Sequence, residues 1–113
     1  MDKLTRYPQL IKQTLSEYVE FDHRQPEPGV EILMIADEDR DHYPLFTLGL
    51  AQRKWVRNLR VYIRLIEGKI WIEHDLTEES IATESLRRGA SEENIVLTFH
   101  PPEMRPCAEF ATV

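Results

Sequence analysis

The sequence predicts an α+β domain with an N-terminal helix, an antiparallel sheet of about five strands, and a second helix before the last strand. Three observations carry this prediction. Apolar residues near the N-terminus recur with the period of a helix face. From Val30 onward the period changes to two. A second helix is marked out by capping residues between two strand-like runs.

In the first segment Leu4, Tyr7, Ile11, Leu15 and Tyr18 fall three, four, four and three apart, so residues 5–20 read as an amphipathic helix. With Thr5 as N-cap, Pro8 falls in the first turn, where its missing N–H has no intrahelical partner to lose. The run "FDHRQPEPG" (21–29) is a loop by its Pro, Gly and charge content. "VEILMIA" then places Val30, Ile32 and Met34 on one strand face and Leu33 and Ile35 on the other, a strand covered in part on both sides.

"DEDRDHYP" (37–44) reads as an acidic connector and "LFTLGLA" (45–51) as the next strand. In "NLRVYIRLI" (58–66), Leu59, Val61, Ile63 and Leu65 face one way, and Arg60, Tyr62 and Arg64 the other. Glu67-Gly68 suits a two-residue hairpin turn leading into "KIWIEHD" (69–75). Thr77 is the expected N-cap of the second helix, with Glu78 and Glu79 in its first turn, Ile81, Ala82 and Leu86 as its apolar stripe, and Gly89 as its C-cap. "NIVLTFH" (94–100) is the last strand, and "PPEMRPCAEFATV" (101–113) a proline-stiffened tail. No repeat or composition break divides residues 1–113, which are expected to form one domain.

Composition narrows the function. Hydrophobic residues at 42% and charged residues at 30% suit a soluble protein, and no run approaches the roughly 20 apolar residues that span a bilayer. The first residues lack a secretory pattern, and Cys107 is the only cysteine, which fits a reducing cytoplasm and leaves no intrachain disulfide. A net charge of −6 argues against generic binding to nucleic acid or anionic membranes. The charge is unevenly spread, however. Residues 42–66 contain Arg53, Lys54, Arg57, Arg60 and Arg64 and no acid, so that +5 sits there and −11 on the remainder. A basic side with Tyr62 among the arginines suits a protein or phosphate interface, and equally suits cations solvating an exposed sheet face. Trp55 and Trp71 divide in the same way between core filling and interface anchoring.

Candidate chemistry is sparse. The run Asp37, Glu38, Asp39, Asp41 lacks the glycine and terminal glutamate of an EF-hand and reads as a solvated turn. His23, His42, His74 and His100 form no zinc motif, and the isolated glycines form no phosphate-binding loop. No cofactor, metal site or catalytic residue is therefore assigned. His74, Asp75, Glu78 and His100 are the side chains from which a metal-dependent hydrolase would have to be built, whereas helix capping accounts for the acids more simply. In "IVLTFHPPEMR" (95–105), Pro101 and Pro102 end the ladder, so His100 reads as a structural exit or a partner contact.

Three blocks, "MDKLTRYPQLIKQTLSEYV" (1–19), "GKIWIEHDLTEESIA" (68–82) and "GASEENIVLTFHPPEMRP" (89–106), closely resemble the XisI family, the fdxN element excision controlling factors found chiefly in cyanobacteria. The resemblance implies a small cytoplasmic accessory protein of α+β fold, connected with programmed DNA excision and acting beside a separate site-specific recombinase. It also implies a XisH-like protein as partner, because the two are commonly encoded together, and it carries over no catalytic residue. The expected function is thus non-enzymatic, with Arg57, Arg60, Tyr62, Arg64, His100 and Arg105 as candidate partner-binding residues. The alternatives are direct nucleic-acid binding through residues 53–64 and, with less support, the hydrolase. Self-association is expected as well, since free sheet edges and surface tryptophans favour a symmetric dimer.

Overall fold

The computed structural model describes residues 3–24, 28–77 and 80–98. Helix α1 (Lys3–Arg24) is followed by strands β1 (Val30–Met34), β2 (His42–Ala51), β3 (Lys54–Ile66) and β4 (Lys69–Asp75). Helix α2 (Ile81–Arg87), a 3-10 turn (Glu92–Asn94) and strand β5 (Ile95–Leu97) complete the order. The five strands lie in the sheet in chain order. β1 to β4 pair antiparallel, but β5 joins β4 in parallel, so the expected antiparallel sheet is mixed. Parallel neighbours need a crossover connection, and α2 supplies it.

α1 starts two residues before the expected cap at Thr5, which puts Pro8 inside the helix rather than in its first turn. Pro8 removes the bond to the Leu4 carbonyl, while the face it interrupts stays buried. Tyr7, Leu10, Ile11 and Leu15 are all within the core. Each such side chain contributes roughly 1.5–3 kcal/mol by leaving water. Opposite them the sheet offers Tyr43, Leu45, Val61, Ile63, Ile70 and Ile72. Tyr7 is further tied down where its hydroxyl accepts a buried hydrogen bond from Asn94 Nδ2 at 3.0 Å.

The acidic connector is a β-hairpin tip. Asp37 and His42 exchange backbone hydrogen bonds of 2.9 and 3.1 Å, and β2 begins three residues earlier than expected. The backbone N–H of Arg40 donates to the Asp37 carboxylate at 3.1 Å, and this bond, aided by the Arg40 guanidinium, holds the Asp37 carboxyl below its ordinary range. Pro44 fits inside β2 because its carbonyl accepts from Ile35 at 3.0 Å, beyond the last residue of β1, so its missing N–H also faces the end of that strand. The β3–β4 turn is as predicted, with Glu67 at φ 51° and Gly68 at φ 75° forming a two-residue type I′ hairpin.

α2 is capped by Ser80, whose Oγ accepts from Thr83 N–H at 3.4 Å, and not by Thr77. Thr77 instead donates its N–H and hydroxyl to the Asp75 carboxylate, whose other oxygen accepts from Ile81 N–H at 2.8 Å. Glu78 and Glu79 lie outside the described residues. At the C-terminus Gly89 N–H bonds to the Leu86 carbonyl and Ala90 N–H to that of Ser85, a Schellman closure. α1 clamps this end: Arg6 donates to the Gly89 carbonyl at 2.8 Å, and Arg88 pairs with both Glu17 and Glu84. β5 is shorter than the expected 94–100, with Asn94 in the 3-10 turn and Phe99 and His100 outside the described residues. Among the described residues no helix is long and apolar enough to cross a membrane.

Candidate partner-binding face

The helices cover one face of the sheet, and two bulges divide the candidate residues between that face and the other. Between β2 and β3 the pairing passes from Leu45–Val61 to Phe46–Leu59, leaving Arg60 as the extra residue. Arg60 and Val61 thus both stand opposite Leu45, on the helix side. Arg60 borders a groove of about 550 Å³ between α1 and α2, together with Tyr18, Phe21, Ile32, Glu84 and Arg87. The expected shared face of Arg60, Tyr62 and Arg64 is therefore broken. The same bulge moves Leu59 to the outer face beside Phe46, away from Val61 and Ile63.

Tyr62 and Arg64 remain on the outer face and are engaged there. The Tyr62 hydroxyl lies 2.7 Å from His42 Nδ1, with the two rings edge to face at 89°. Arg64 pairs with Glu73 at 3.6 Å. Glu73 reaches that face because it is itself the extra residue in β4, where the pairing passes from Tyr62–His74 to Ile63–Ile72. Arg64 Nε and its cross-strand neighbour Trp71 Nε1 are buried donors with no acceptor among the described residues. His100 and Arg105 lie outside the described residues.

The basic segment therefore separates into three environments, and one of them is open. At the β2–β3 turn Gln52 and Arg53 both adopt left-handed backbone, at φ 51° and 64°, in a two-residue turn that normally favours Asn-Gly. Non-glycine residues there are strained, and the strain presents Arg53 at a tip beside Lys54 and Arg57. Among the described residues no carboxylate pairs with any of these three. Trp55 is 66% exposed, and the Arg57 guanidinium carbon lies 5.2 Å from its ring centre. Trp55 is thus a surface anchor and not a core filler. Next to it Leu48, Leu50 and, further along, Ile35 are also exposed. Sequence reasoning missed this strip, although Phe46, Leu48 and Leu50 alternate with Thr47 and Gly49, a signal that the outward positions of β2 are the more apolar ones.

Of the alternative metal set only His74 and Asp75 are among the described residues, and they stand on opposite faces of the sheet. His74 pairs with Tyr62 on the outer face, whereas Asp75 turns inward and is used up in capping α2. Among the described residues no group of three His, Cys, Asp or Glu side chains is placed to hold a metal ion.

Comparison with known proteins agrees with this architecture. The family model described as XisI protein matches residues 1–112. A solved XisI-like protein from Anabaena variabilis has 27% identity, with 97% of this chain and 99% of that chain covered, and a TM-score of 0.89. The fdxN element excision controlling factor XisI of the same organism has 37% identity, with 97% of this chain and 98% of that chain covered, and a TM-score of 0.81. Comparison with the curated proteins gives no match. With the match running over residues 1–112 of 113, the chain belongs to the XisI family.

Proposed function

We propose that this protein is a non-enzymatic controlling factor in programmed excision of the fdxN DNA element, acting in the cytoplasm through a complex with a XisH-like protein while a separate recombinase exchanges strands. The observation that carries the proposal is the 37% identity, across 97% of the chain, to an fdxN element excision controlling factor. One acid of the alternative hydrolase set, Asp75, spends both carboxylate oxygens on backbone and hydroxyl donors, which fits the capping role expected of it. Co-expression with a XisH-like protein, followed by affinity purification of either at low salt, should recover both. Recovery of one alone contradicts the proposal.

A second reading is direct DNA binding, favoured by the cations Arg53, Lys54 and Arg57, which meet no carboxylate among the described residues. The bulge at Arg60 and the Glu73 partner of Arg64 confine it to the β2–β3 turn. Fluorescence anisotropy over a salt series then shows a log–log slope that shrinks by about one for each arginine removed. Binding that is absent or indifferent to salt excludes it.

A further inference from the structure

We infer that the outer face of β1, β2 and β3 docks a second copy of the chain, around a two-fold axis running across β2. The face carries the exposed side chains Ile35, Leu48, Leu50 and Trp55, joined by the half-buried Leu33, Phe46 and Leu59. Exposed apolar surface of this kind, amounting to roughly several hundred Å², marks an interaction site on a soluble protein.

The charge at its two ends selects the occupant. The chain enters β2 from a hairpin tip bearing Asp37, Glu38, Asp39 and Asp41, with Arg40 as the one cation. It leaves β2 through the turn bearing Arg53 and Lys54, with Arg57 just beyond. The ten residues of β2 hold these ends roughly 30 Å apart at about 3.3 Å per residue. The apolar strip lies between them, since Ile35 stands opposite Pro44 and Trp55 opposite Leu50. An axis across β2 reverses the strand and sets each basic turn on the partner's acidic tip, whereas an axis along β2 sets like charges together. Asp39 and Asp41 have no cation partner among the described residues, and neither Arg53 nor Arg57 has an acid. The surface is thus complementary to itself in one orientation, which is what a symmetric interface requires.

Sedimentation velocity of the full chain tests this. The wild type should be a dimer at tens of micromolar, and Trp55→Ala, which removes the exposed anchor, should raise the dissociation constant roughly tenfold or more. Arg53→Glu/Arg57→Glu and Glu38→Lys/Asp39→Lys should each sediment as monomers, because both charged contacts of either homodimer become like-signed. Mixing these two variants should restore a dimer, since every contact is again between opposite charges, and restoration also shows that both are folded. A wild type that stays monomeric to about 100 μM overturns the inference. So does a dimer indifferent to Trp55→Ala, as pairing through the β1 edge or another surface would give, or a mixture that remains monomeric.

Discussion

The Arg57 guanidinium rests over the Trp55 ring, 5.2 Å from its centre, and both side chains stand in solvent at the end of β3. The cation orders the ring without burying it, so an amphipathic anchor exists before any partner arrives. Trp55→Ala should accordingly change folding stability by no more than about 0.5 kcal/mol in urea unfolding of the monomer, at concentrations well below the dimer's dissociation constant, as surface substitutions do. A loss of several kcal/mol would mean that Trp55 belongs to the core.

The turn that presents this anchor is strained. Replacing Gln52-Arg53 by Asn-Gly supplies the residues that a type I′ turn favours, and should raise stability by about 1–2 kcal/mol. Chemical denaturation midpoints measure the gain. If partner or self-association weakens in the same variant, the strain is the consequence of keeping a cation at the tip.

Asp75 has a structural role that makes a distinct prediction from a catalytic one. Asp75→Ala removes the acceptor for Thr77 and for the first N–H of α2, and should destabilise the fold by about 1–3 kcal/mol. Asp75→Asn, which keeps one carbonyl oxygen, should lose less. Unfolding curves unchanged by either substitution would remove this role.

Alkaline pH should weaken the fold through Tyr43. Burial, and after it the charges of Asp41 and Glu38, push its hydroxyl up to about 12 from an ordinary value near 10. Between those values the unfolded chain has lost the proton while the folded chain keeps it. The contribution is therefore complete below pH 10, and is lost as pH rises toward 12. Tyr43→Phe should flatten that limb of the stability profile and leave neutral pH little changed, because the hydroxyl has no hydrogen-bond partner among the described residues.

The elements that sequence revealed are those with local chemistry. Tyr7, Ile11 and Leu15 announce the buried face of α1, Glu67-Gly68 the hairpin between β3 and β4, and Gly89 the end of α2. The early start of β3 was hidden because "AQRK" contains no Gly, Asn or Pro to mark the turn at Gln52-Arg53. Arg60 was assigned to the wrong face because alternation presumes an unbroken ladder, and a bulge leaves no mark in the apolar pattern. The helix is capped by Ser80 and not by Thr77 because the Asp75 carboxylate, six residues ahead of Ile81, accepts from both Thr77 and Ile81 and holds Thr77 outside the helix. The exposed strip on β2 was legible in principle. Recognising it needed the knowledge that α1 packs on the side of Leu45 and not on that of Phe46.

Titration of the labelled chain with a XisH-like protein and, separately, with double-stranded DNA tests the proposed function most directly. The account predicts saturable binding to the protein at a fixed stoichiometry, with no DNA binding at about 150 mM salt. DNA binding with a steep salt dependence, and no binding to the protein, would contradict it.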